Sequence, residues 1–192
     1  MEKVSINMNV KLSQHFSLGE LCKTSVKTAD GNIPSHVAIE NLKNICENWL
    51  EDLRYSYSTL YPEISPRATL TTSNSVATRD SQSKLCSPLA APSLGRDDTT
   101  PLIITSGYRS PEVNKRVGGS PTSNHLTGCA VDIRCYGIEQ AIRYASILLD
   151  IADGTKRDYD ELLIERSPKG NYWIHFAVRP ANNRRKTAMI QT

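Results

Sequence analysis

Four histidines occur in the chain, at positions 15, 36, 125 and 175. Two of them stand where residues able to do chemistry are densest. The run Ser123-Asn-His125-Leu-Thr-Gly128-Cys-Ala-Val-Asp132 sets a histidine seven residues before an aspartate. His175 lies in Trp173-Ile-His-Phe-Ala177, flanked by apolar residues. Two imidazoles and one carboxylate form a ligand set for catalytic zinc, with a fourth position left open for water. A carboxylate in an apolar strand needs a partner. A metal is one candidate for Asp132, and Arg109 or Arg134 is another. A strand histidine can equally be a hydrogen-bonded core residue. The His-x₆-Asp spacing alone leaves these alternatives open. His15 and His36 sit near expected helix starts and read as surface or capping residues.

The elements that must position these residues follow from periodicity. Cys129 to Arg134 reads as a strand in which Asp132 and Ala130 share one face, while Val131 and Ile133 take the other. Residues 161 to 165 and 173 to 178 read as two strands joined by a hairpin over 166–171. Leu102 to Thr105 reads as a buried strand, followed by a turn through Arg109 and a short helix opened by Pro111. Ser17-Leu-Gly-Glu20 fits a capping box for a short helix. After a turn-rich loop over 29–34, Ser35 caps an amphipathic helix to about Leu53, with Leu42, Ile45, Cys46, Trp49 and Leu50 on its apolar face. A second amphipathic helix spans Ile138 to Ala152, with Gly154 as its stop. The expected class is α+β, an antiparallel sheet flanked by helices.

Residues 55 to 100 break the pattern. Of these 46 residues, 20 are Ser, Thr or Pro, and no apolar period lasts. They are expected to be a long disordered insertion in a single domain covering 1–192. Composition excludes other classes. Hydrophobic residues at 39% can build a core, and no apolar run approaches the roughly 20 residues of a membrane span. A net charge of +3, from 23 basic and 20 acidic residues, argues against a nucleic-acid partner. Arg184-Arg185-Lys186 reads as a solvated tail. Five cysteines without a CxxC pair fit neither a disulfide framework nor a zinc knuckle. Met1 to Val10 carries no secretory signal pattern. Synthesis in the cytoplasm is therefore expected, and the lack of a signal pattern does not fix where the protein acts.

Taken together, Ile104-Thr-Ser-Gly-Tyr-Arg-Ser110, Val117 to His125, Gly128 to Asp132 and Trp173-Ile-His175 resemble the zinc D-Ala-D-Ala carboxypeptidase family. That family includes cell-wall peptidases of bacteria and phages, and the hedgehog signalling domain shares its fold. Its Ser-x-His-x₆-Asp signature and later histidine are matched in order by Ser123, His125, Asp132 and His175. The resemblance covers roughly Leu12 to Arg54 and Pro101 to Val178.

The resemblance implies a hedgehog/D,D-peptidase-like fold with His125, Asp132 and His175 as ligands of Zn²⁺. It also implies hydrolysis of peptidoglycan stem peptides, as a carboxypeptidase or endopeptidase. Many relatives carry an acid three residues before the last histidine, where this chain has Tyr172. Another branch places the acid at the end of the preceding strand, and Asp160-Glu-Leu-Leu-Ile-Glu165 matches that form. Glu165 is then the general base, and Glu161 is expected to be a bystander. Arg109 is implied to bind or stabilise the substrate, with Ser123 adding a hydrogen bond; Trp173 is expected to line the cleft or pack beneath it, with a core role as the alternative. A monomer is expected. The alternative is a zinc-bearing but inactive binding or structural module, since fold alone does not decide activity.

Overall fold

The structure is a computed structural model that describes residues 6–29, 31–62 and 100–192. A short helix, α1 (Leu18–Leu21), begins at Ser17, whose hydroxyl accepts from the Glu20 amide. Ser35 caps α2 (His36–Ile45) in the same way, through the Ala38 amide. A π-helical turn, Cys46–Leu50, runs directly into α3 (Glu51–Leu60). The helical stretch thus extends beyond the expected end at Leu53. Ser56 and Tyr57 are buried, and the Tyr57 ring meets Tyr144 edge-on at 4.7 Å. The first residues assigned to the insertion therefore belong to the packed domain. The rest of it, 63–99, lies outside the described residues, and so does the expected disorder. Its two ends come together: the Thr100 amide donates to the Ser58 hydroxyl at 2.7 Å.

The remaining elements are β1 (Ile104–Ser106), α4 (Pro111–Arg116), a 3₁₀ turn (Asn124–Thr127), β2 (Ala130–Cys135), α5 (Ile138–Thr155), β3 (Glu161–Arg166), β4 (Tyr172–Ala177) and β5 (Lys186–Gln191). Helix α5 passes through Gly154 and ends only at Lys156, in a left-handed conformation at φ 56°. The strands form one sheet in the order β1-β2-β4-β3-β5. The expected α+β class holds, but the sheet is mixed rather than antiparallel, because β5 pairs with β3 in parallel. The register explains this. Strand β4 ends with Ala177 opposite Glu161, and β5 starts with Lys186 opposite the same residue. The link between them stays at one end of the sheet, so β5 runs alongside β3. The basic cluster read as a solvated tail is where this strand enters.

Strand alternation divides the sheet into two faces. Val131, Ile133, Leu162, Ile174 and Phe176 join the helices in the core. Trp49 anchors that core, with its ring 5.0 Å from Phe176 and 6.5 Å from Tyr159. Each large apolar side chain buried there contributes about 1.5–3 kcal/mol. On the opposite face, Asp132, Glu161, Leu163, Glu165, Trp173 and His175 line an open cleft of about 1170 Å³. No helix among the described residues is long and apolar enough to cross a membrane.

Candidate metal centre

Strand register brings the site together. Asp132 on β2 and Leu163 on β3 both stand opposite His175 on the central strand β4. His125 comes from the 3₁₀ turn just before β2. Ser123 caps that turn, its hydroxyl accepting from the His125 amide at 3.3 Å. The turn can close only with glycine at 128, where φ is +70° and a Cβ would lie 2.3 Å from the Ala38 carbonyl oxygen.

The donor atoms converge. His125 Nε2 lies 3.3 Å from Asp132 Oδ1, and His175 Nδ1 lies 2.9 Å from the same oxygen. One ligand atom from each of the three residues falls within 4.8 Å of the others. Four donors at zinc-like bond lengths of about 2.0–2.1 Å stand roughly 3.3 Å apart around a tetrahedron. The two separations from Asp132 Oδ1 sit at that value or slightly inside it, and all three atoms lie within 4.8 Å of one another, so the residues fit such an ion. The outer nitrogen of each ring is also engaged. His125 Nδ1 donates to the Gly107 carbonyl at 2.6 Å, which leaves the Nε2 lone pair facing Asp132. His175 turns its Nε2 toward Glu161 Oε2 at 3.6 Å.

Electrostatics follow from this crowding. Burial opposes the charge on Asp132, but His125 and His175 outweigh it and hold the carboxyl well below its usual range. Burial also opposes charging of His175, yet Asp132 and then Glu161 raise its pKa to about 9. The Arg109 Nη2 donates to Asp132 Oδ2 at 2.5 Å, and its Nε donates to Ser106 at 2.7 Å. The metal-ligand and arginine-partner readings of Asp132 are thus compatible, because each uses a different carboxylate oxygen. Gly107 has to be glycine: a Cβ there would lie 2.2 Å from the Leu21 carbonyl oxygen.

Two glutamates of β3 reach this face. Glu165 stands opposite Trp173 and lines the cleft. Burial raises its pKa, and Asp132 adds to the effect, while His175, Arg109 and the Trp173 side chain offset part of it. Glu161 is held the other way, down to about 2, chiefly by His175, with Lys186 adding to it against burial. Glu161 is no bystander, since it contacts His175, Asn124, Arg184 and Lys186. Its immediate neighbours in sequence, Asp160 and Leu162, gave no sign of this; the signal was its even spacing from Glu165 on one strand face. Ser123 and Trp173 both line the cleft, and Tyr172 packs against the core. His15 departs from expectation, bonding Glu51 through its ring Nδ1 at 2.5 Å, whereas His36 is exposed in the first turn of α2.

A second residue escaped the sequence reading. Asn32 is buried in the loop after α1. Its Nδ2 donates to the Cys22 and Tyr108 carbonyls, and its Oδ1 accepts from the Ser110 amide. It clamps the turn that carries Gly107 and Arg109. No motif announces such a long-range contact.

No curated protein matches the chain closely enough to count as a relative. The family profile described as Peptidase M15 matches residues 61–156, half of the chain. The matched span contains His125 and Asp132, and it ends before β3 and β4 supply Glu165 and His175. With that match added to the convergent histidine–aspartate–histidine cluster, the chain belongs to the peptidase M15 family, and it is a peptidase by that membership.

Proposed function

We propose that this peptidase is zinc-dependent and hydrolyses peptidoglycan stem peptides, as a D,D-carboxypeptidase or endopeptidase. The observation that carries the reading is the convergence of His125 Nε2, Asp132 Oδ1 and His175 Nδ1 in a cleft that Glu165 also lines. Those three residues would hold the ion. Zinc supplies Lewis acidity toward a scissile carbonyl and toward water.

The chain's own residues do the rest. Glu165 accepts a proton from the attacking water and passes it to the departing amine nitrogen, which restores the carboxylate. Its raised pKa suits a group that must both take and release a proton. Arg109 orients Asp132 and turns toward the cleft, where a planar guanidinium suits a substrate carboxylate or an oxyanion. Ser123 and Trp173 border the same cleft and would contact the peptide.

The test is digestion of purified peptidoglycan, with products read by mass spectrometry with and without chelator, alongside metal analysis. About one zinc per chain and chelator-sensitive release of D-alanine or of new amino termini are expected. Zinc without hydrolysis would assign the chain to the inactive binding module instead. No zinc after re-exposure to the ion would remove the metal reading.

A further inference from the structure

We propose that Glu161 is a positioning residue for the metal site, which fixes the His175 ring so that Nδ1 faces the ion. The inference rests on the zinc reading above and goes beyond it. Imidazole has two nitrogens, and a ligand histidine is held in one orientation and tautomer by what its other nitrogen meets. For His125 that partner is the Gly107 carbonyl. For His175 it is Glu161 Oε2, 3.6 Å from Nε2, which is long for a hydrogen bond but within ion-pair range.

The carboxylate is itself held on its other sides. Asn124 Nδ2 donates to Glu161 Oε2 at 3.3 Å and to Asp160 Oδ2 at 2.8 Å. Arg184 Nη2 and Lys186 Nζ each lie 3.2 Å from Glu161 Oε1. Arg184 also grips the fully buried Asp160 through two nitrogens, at 2.8 and 2.6 Å. Asn124 precedes His125 in the chain. The network thus joins the turn bearing one imidazole to the strand facing the other. It also gives β5 a task, since Lys186 enters the sheet directly opposite Glu161. Two cations hold Oε1 and the Asn124 amide holds Oε2, and that second oxygen is the one turned toward His175.

The test uses the full chain, stripped of metal, as parent, Glu161→Gln, Glu161→Ala and Glu161→Met. Zinc affinity is measured by competition with a chromophoric chelator, and the visible spectrum is recorded with Co²⁺ in place of zinc. Thermal melting of the metal-free proteins establishes that each is folded; Met keeps the bulk of the side chain in case Ala does not fold. Loss of the acceptor in Ala and Met should weaken zinc binding about 10- to 100-fold and alter the Co²⁺ bands. Gln, whose carbonyl can still accept from Nε2–H, should recover most of the affinity and the parent spectrum. Parent-like affinity in both Ala and Met would overturn the role, and so would a Gln variant no better than Ala. A parent chain that binds no zinc would overturn the zinc reading itself, a failure visible before any variant is compared.

Discussion

Asn32 offers the sharpest test of how the site is supported. Among the described residues its side chain makes three hydrogen bonds to backbone groups, at 2.8, 3.1 and 2.7 Å, and only 1% of the residue is exposed. Its backbone sits at φ 54°, where asparagine is tolerated and most L-residues are strained. Asn32→Ala removes all three bonds and keeps the strain. Each hydrogen bond contributes about 1 kcal/mol, more where a buried group is left unpaired, and the left-handed backbone adds about 1 kcal/mol. The sum is about 4 kcal/mol. For a chain of this size each kcal/mol lowers Tm by about 2–4 °C, so a fall of about 8–16 °C is expected. Asn32→Gly relieves the strain but restores no bond, and should melt only a few degrees above Ala. Asn32→Asp keeps the bond from Ser110 while replacing Nδ2, which donates to two carbonyls, by one oxygen that faces both of them, so it should fall as far as Ala. The assay is thermal unfolding of metal-free protein followed by circular dichroism. A Tm within about 3 °C of the parent for both Ala and Asp would refute the clamp.

Glu165→Gln should keep the parent's zinc content while turnover falls about 10²-fold or more, measured on the same preparation. Because Glu165 titrates above its ordinary 4.5, the acid limb of kcat/KM in the parent should have its inflection above that value, and a pH–rate profile checks it. Asp160, held near 2 chiefly by Arg184, contributes stability that is present above its ordinary 3.8 and is lost as pH falls toward 2. Asp160→Asn should therefore flatten the acid side of the Tm–pH curve. Replacing residues 63–99 with a short linker should leave zinc binding and Tm nearly unchanged, because Ser58 and Thr100 already meet and loop length changes stability slowly. A large drop in Tm would show that the segment packs on the domain.

What could be read from the sequence was whatever a local pattern encodes. The strand alternation around Asp132 set it on the face opposite Val131 and Ile133, and the motif order singled out His125 and His175. Helix caps at Ser17 and Ser35 were legible because a hydroxyl serving an amide three residues on is a local bond. Strand β5 was not, since its six residues are nearly all exposed and show no alternation of burial. Its place is set by register against β3 and by Arg184 meeting Asp160, neither of which has a sequence period. Ser56 and Tyr57 were assigned to the insertion for a similar reason. Their helix is rich in Ser and Tyr rather than in aliphatic residues, yet Tyr57 fills the core beside Tyr144.

The two glutamates of β3 mark where pattern ends and environment takes over. A separation of four residues on a strand puts both on the cleft face, on either side of Leu163, which stands opposite His175. By type and by alternation they are equivalent. Their neighbours differ because β4 and β5 present different residues at the two ends of β3. Glu165 faces Trp173 across the strand pair, and burial there favours its protonated form. Glu161 faces His175, which chiefly favours its charged form, with Lys186 adding to the effect, and Arg184 also contacts it. A carboxylate kept near a pKa of 2 is a poor proton acceptor at neutral pH, whereas one raised by burial is a better one. The same side chain is thus suited to the proposed orienting role at one position and to the proposed proton transfer at the other, and the residues that β4 and β5 set beside each end of β3 make the difference.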